Sequence, residues 1–174
     1  MYNEKWDIID EKGNPTGKVT LRGRAILRSG EYHLVVHIWI VSDDGKFLLQ
    51  KRSESKKLMP GEWAATGGAA VSGEDSFTAA SRELFEELGI ASNENTLKKL
   101  TRIKRRNSLL DVWAININTP ADELTLQKSE VAQAKWVTKQ ELEGMIKNGQ
   151  FHNYGKEYFE RVFSKLDEFR TAVV

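Results

Sequence analysis

The apolar and polar positions along the chain change period several times, and each change predicts an element. His33–Val41 is a near-continuous β-branched and aromatic run, and residues 46–52 (Lys-Phe-Leu-Leu-Gln-Lys-Arg) form a second. Ser-Asp-Asp-Gly45 between them carries an Asp-Gly turn signal, so the stretch predicts a β-hairpin at the spine of a sheet. From residue 75 the spacing lengthens. Phe77, Ala80, Leu84 and Leu88 fall on one helical stripe and Gly89 follows as a stop, which predicts a helix over 75–88. Near the start, residues 6–10 read as a short strand entering the turn 11–15, within a small N-terminal β extension of about residues 1–30. Further strands are expected at 97–104, 109–118 and 132–137, with helices at 139–147 and 156–170.

Composition narrows the class. A chain of 174 residues, 40% apolar and 29% charged, is long enough to bury a core and short for two, and no repeat or linker divides it, so one domain over 1–174 is expected. There is no stretch of 18 apolar residues, and the first ten residues are mixed and acidic, so nothing points to a membrane. The chain has no Cys, which removes disulfides, thiolate zinc sites and a Cys nucleophile and fits a cytoplasmic protein. A formal net charge of +1 gives no general attraction to nucleic acid. The basic run Lys98, Lys99, Arg102, Lys104, Arg105 and Arg106 is read as a solvated strand face, with phosphate binding or a subunit contact, which leaves a homodimer open, as lesser options. An anionic ligand must therefore be held by a local cluster, and small phosphorylated molecules remain as substrates.

That cluster lies in residues 68–90. Glu83, Glu86 and Glu87 are spaced i, i+3 and i+4, so they project from one helix face, opposite the Phe77, Ala80, Leu84 and Leu88 stripe. Each exposed like-charged pair costs about a few tenths of a kcal/mol, more when buried, so the arrangement asks for a counter-cation. Oxygen-only ligands point to Mg²⁺ or Mn²⁺, hard ions that also bind substrate phosphates. Arg82 can orient Glu83, Gly67 and Gly68 allow close backbone approach, and Glu74 suits the positive end of the helix.

Seven fixed positions (Gly68, Glu74, Arg82, Glu83, Glu86, Glu87, Gly89) would coincide by chance about once in 10⁸ windows at ordinary residue frequencies. With apolar Leu84 and Ile90 they resemble the Nudix box, G-x5-E-x7-R-E-U-x-E-E-x-G-U, at every position. The resemblance implies an α/β/α sandwich around a mixed central sheet. It also implies hydrolysis of a nucleoside diphosphate linked to a moiety X, with Glu83, Glu86 and Glu87 on a divalent metal. The Gly68 backbone is placed with the metal, and Glu83 with Arg82 among the catalytic residues.

Outside the box, Leu48-Leu-Gln-Lys-Arg-Ser53, Lys56-Lys57 and Pro60-Gly-Glu-Trp63 resemble the isopentenyl-diphosphate isomerase branch of the same fold. There the residues matching Arg52 and Lys56 hold the diphosphate. The isomerase needs a Cys where this chain has Gly67, and two of its metal histidines fall on Ile26 and Ala69, leaving His33 and Glu130 of that set. An isomerase-like scaffold running phosphoanhydride hydrolysis is the expectation, with an isomerase-like protein or a non-catalytic nucleotide-binding module as alternatives. Glu130 resembles a loop carboxylate that in related hydrolases supplies a metal ligand or base. His33 and His37 share a strand face and read as core or edge histidines. Trp39, Trp63, Trp113 and Trp136 read as core, with one able to stack on a base if it lines the cleft.

Overall fold

The computed structural model describes residues 4–23 and 27–173; Ile26 lies outside them. Strands β1 (Lys5–Ile9) and β2 (Pro15–Leu21) pair antiparallel as a two-stranded sheet, the small N-terminal β extension. A seven-stranded sheet follows: β3 (His33–Val41), β4 (Phe47–Arg52), β5 (Trp63–Ala64), β6 (Thr66–Ala69), β7 (Leu97–Lys104), β8 (Ser108–Asn116) and β9 (Val131–Val137). Helices α1 (Ser76–Leu88), α2 (Lys139–Lys147) and α3 (Lys156–Val173) complete it.

The sheet is mixed because β3 runs parallel to β8 in register from His33↔Ser108 to Val41↔Asn116, while the other pairings are antiparallel. Alternation along β3 builds two cores. Val36, Ile38 and Ile40 pack with Leu84 and Leu88 of α1 on one face. Trp39 and Val41 pack with Leu142 of α2 and Val162 and Leu166 of α3 on the other. The result is an α/β/α sandwich, and a run apolar on both faces, such as β3, belongs in its middle layer.

The expected hairpin opens almost at once. Only Ile40↔Leu48 and Val41↔Phe47 pair β3 with β4 beyond the turn at Gly45. The two strands then splay, and residues 63–69 fill the gap, first as β5 on β4 and then as β6 on β3. This splay sets Gly67 and Gly68 in the sheet directly before α1. The helix starts where Asp75 caps it, accepting from the Thr78 amide at 2.7 Å, and ends at Gly89 in the left-handed region at φ 71°. Its Leu84 and Leu88 are fully buried, each contributing about 1.5–3 kcal/mol.

Candidate functional site

Helix α1 lays its Glu face against the Gly67–Gly68 segment of β6, and the loop 52–62 and the chain around Gln127 and Glu130 close the opposite side. The open basin between them, of about 140 Å³, gathers Glu83, Glu86, Glu87 and Glu130 with Arg52 and Lys56. Arg22 and Glu4 of the N-terminal extension also reach it. Every residue expected to carry chemistry thus meets in one place, although they derive from segments up to 78 positions apart.

Arg82 is the hub. Its Nε and Nη2 grip both Glu74 oxygens at 2.6 and 2.9 Å, and its Nη1 reaches Glu83 at 2.9 Å and Glu86 at 3.1 Å. Burial would raise the Glu74 carboxyl, but the guanidinium and the Val71 amide outweigh it and hold it below the usual range. Glu83 goes the other way: desolvation dominates Arg82 and its carboxyl is raised. Gly68 explains how Glu83 lies so close, since a Cβ there would stand 2.3 Å from Glu83 Oε1.

Glu87 departs from expectation. The helical spacing placed it on an outward face with Glu83 and Glu86, yet it is only 3% exposed. The splayed strands cover it: Gln50 of β4 donates to Glu87 Oε2 at 2.9 Å and the Gly67 amide points to it at 3.4 Å. Desolvation, then the neighbouring Glu83 charge, pushes its carboxyl up to about 8. Gln50 was missed from sequence, although a Gln at a buried position of an apolar strand is a signal that a polar partner waits inside.

Lys56 and Glu130, expected separately as a phosphate binder and a metal ligand or base, form an ion pair with each other. Arg52 Nε donates to the Leu58 carbonyl at 3.1 Å while the residue still lines the basin. At Gly67, where the isomerases carry Cys, a Cβ would stand 2.2 Å from the Val36 carbonyl, so no side chain fits without a backbone shift. The basic run of β7 is not simply solvated. Lys99 and Arg102 converge on Asp111 of β8, which has no exposure, at 2.5 and 2.6 Å, and Arg102 also donates to the Lys12 carbonyl. His37 is a core histidine bound to Tyr158, and His33 stacks on Trp6. Trp39 and Trp113 are core as expected.

Among the described residues, no three His, Cys, Asp or Glu are grouped as ready ligands of one ion, because Arg82 takes up Glu83 and Glu86 and Gln50 takes up Glu87. The donor set still fits a hard divalent cation. It is all oxygen, and burial raises two of its carboxylates, Glu83 and Glu87, the second with the Glu83 charge beside it.

Comparison with known proteins identifies the family and the fold. The family model for the NUDIX domain matches residues 31–161. The chain is 40% identical over 152 residues to the uncharacterized Nudix hydrolase lmo0368 of Listeria monocytogenes, covering 87% of this chain and 89% of that protein. It is 30% identical over 106 residues to an isopentenyl-diphosphate Delta-isomerase of Pectobacterium atrosepticum, covering 60% of this chain and 58% of that one. In fold it is similar to DR0079 of Deinococcus radiodurans, with a TM-score of 0.71 at 24% identity, over 85% of this chain and 91% of that one. No helix among the described residues is long and apolar enough to cross a membrane.

Proposed function

The chain belongs to the Nudix family of hydrolases acting on pyrophosphates, and we propose that this protein cleaves the phosphoanhydride bond of a nucleoside diphosphate linked to a moiety X, with Mg²⁺ or Mn²⁺ as cofactor. The observation that carries the reading is the convergence of Glu83, Glu86, Glu87 and Glu130 with Arg52 and Lys56 around one basin floored by Gly67 and Gly68.

A divalent cation held by Glu83, Glu86, Glu87 and the Gly68 carbonyl would supply Lewis acidity to the diphosphate and to the attacking water. Arg52 binds the diphosphate as a cation at the mouth of the basin. Arg82, anchored on Glu74, fixes the Glu83 carboxylate, which accepts the proton of the water. Glu130 is the second candidate base; its hold on Lys56 makes it the better orienting group, and Lys56 reaches phosphate from that pair. The missing Cys and the closed space at Gly67 argue against alkene protonation.

Incubation with Mg²⁺ and a panel of nucleoside di- and triphosphates, dinucleotides and nucleotide sugars, followed by identification of the phosphorylated products, tests the reading. Cleavage at a phosphoanhydride with loss in Glu83→Gln is expected. Metal-dependent binding of the same compounds with no cleavage would replace the hydrolase by a binding module.

A further inference from the structure

The carboxylate basin does not end at Gly67 and Gly68. A second cavity of about 410 Å³ begins there and shares Arg22, Arg52, Gly67 and Gly68 with it. Its chemistry is the opposite of the basin's. Among the described residues, three arginines line it, Arg22, Arg52 and Arg105, and no Asp or Glu does. Arg22 is paired with Glu4 and Arg52 rests on the Leu58 carbonyl. Arg105 is half-buried in the β7–β8 turn and forms no ion pair among the described residues. A half-buried cation without a counter-ion, facing a cavity, has its charge left for a ligand.

The floor adds a neutral donor. Trp39 Nε1 donates to the Tyr158 hydroxyl oxygen at 3.0 Å, and the same hydroxyl lies 2.9 Å from His37 Nδ1. Tyr158 is buried and has one hydrogen to place, and His37 Nδ1 is the acceptor in reach. The His37 proton therefore sits on Nε2, the nitrogen that Tyr158 does not engage, and His37 lines the cavity. Burial first, and then the Arg105 charge, pushes the His37 imidazole down to about 3, so it stays neutral and keeps this tautomer. In the wall, the Trp6 Nε1 donor and His33 Nδ1 are buried without partners while the two rings stack at 4.1 Å. Polar atoms built into a wall and left unsatisfied are uncommon outside sites that receive a ligand.

We infer that this cavity seats the X moiety of the substrate, and that X carries an anionic acceptor group, phosphate or carboxylate, held by Arg105 together with His37 Nε2–H. The inference rests on the hydrolase reading for the position of the diphosphate, which lies over the carboxylate basin and points X across Gly67 and Gly68. It makes Arg105 a specificity residue, distinct from the cations of the diphosphate itself.

Two substrate pairs that differ by one anionic group test it: UDP-glucuronate against UDP-glucose for a carboxylate, and NADP⁺ against NAD⁺ for a phosphate. The readout is the ratio of kcat/KM within each pair. The anionic member should be favoured about tenfold or more in at least one pair, the range of a charge-assisted contact. Which pair responds identifies the group. The ratio should fall to about one in Arg105→Ala and in Arg105→Gln, and persist in Lys98→Ala, an exposed cation of the same hairpin. Ratios near one in both pairs, or a preference that survives both Arg105 variants, would overturn the inference. Equilibrium binding of the four compounds with Ca²⁺ in place of Mg²⁺ separates the two readings. An Arg105-dependent preference in binding without turnover overturns hydrolysis and keeps the pocket; turnover without preference does the reverse; no binding of any of the four overturns the pocket, while the wider nucleotide panel decides hydrolysis.

Discussion

Among the described residues two carboxylates are buried against the central sheet, and they are treated in opposite ways. Asp111 of β8 has no exposure, and Lys99 and Arg102 meet it with three short contacts, at 2.5, 2.6 and 2.8 Å. Burial would raise its carboxyl, but these cations outweigh it and hold it below the usual range. Glu87 of α1 is 3% exposed and is given an amide from Gln50, a distant backbone N–H from Gly67, and a second carboxylate, Glu83, as neighbour. Its carboxyl is pushed up to about 8. The fold knows how to neutralise a buried acid and does so at Asp111. It does not do so at Glu87, which fits the proposal that the counter-charge there is a bound divalent cation.

The sharpest way to break this contrast is Glu87→Gln. The variant should lose orders of magnitude in kcat, because a metal carboxylate is gone, while folding as well as the parent or better without metal. Gln fits the same space and can still accept from Gln50. Steady-state kinetics beside melting of the metal-free protein checks both halves; unchanged activity would return Glu87 to the role of a structural acid. Asp111→Ala should show the mirror image. Lys99 and Arg102 lose their shared partner, and about 3 kcal/mol of stability should go with it, near the lower end for buried pairs because both cations reach solvent. Denaturant unfolding measures the loss, and kcat per folded molecule should hold.

The pH dependence sharpens the contrast next. The folded-state pKa of Glu87 is raised, so the metal-free protein should lose stability as pH climbs from about 4.5 to about 8, on the order of a few kcal/mol, then level off. The Asp111 pKa is depressed, so its contribution is present above the unfolded value near 3.8 and fades as pH falls through the lower folded value. Melting curves in a chelator across this range should therefore slope downward toward pH 8, and Glu87→Gln should flatten that slope. The smallest effect is expected from Gly68→Ala. Its Cβ meets the mobile end of Glu83 rather than backbone, so the fold should survive while Glu83 is displaced and kcat falls about tenfold. An alanine variant with full activity would show that the Glu83 position against β6 is not needed.

The contrast also shows how legible the molecule was. Glu83, Glu86 and Glu87 could be read as neighbours because i, i+3 and i+4 is a property of the helix alone, and Asp75 and Gly89 marked its ends. Nothing in that spacing says which of the three is covered. The cover over Glu87 is Gln50, 37 positions away, brought there because β3 and β4 part after two pairs and residues 63–69 enter between them. Likewise Asp111 is visible within Leu-Leu-Asp-Val-Trp, but local pattern makes the basic run beside it a solvated face, because register between β7 and β8 decides which cations face the acid.

Sequence alone determined most strand and helix positions and the carboxylate face with its arginine and glycines, since these depend on periodicity and caps within a few turns of chain; the layered α/β class came with the family resemblance that those residues carry. Tertiary structure alone decided the burial of Glu87, the pairing of Lys56 with Glu130, and the cationic cavity beyond Gly67 and Gly68. That cavity joins Trp6, His37, Arg105 and Tyr154 from four separated segments. Contacts of that kind are fixed by how strands splay and layers dock, and local pattern carries no record of either.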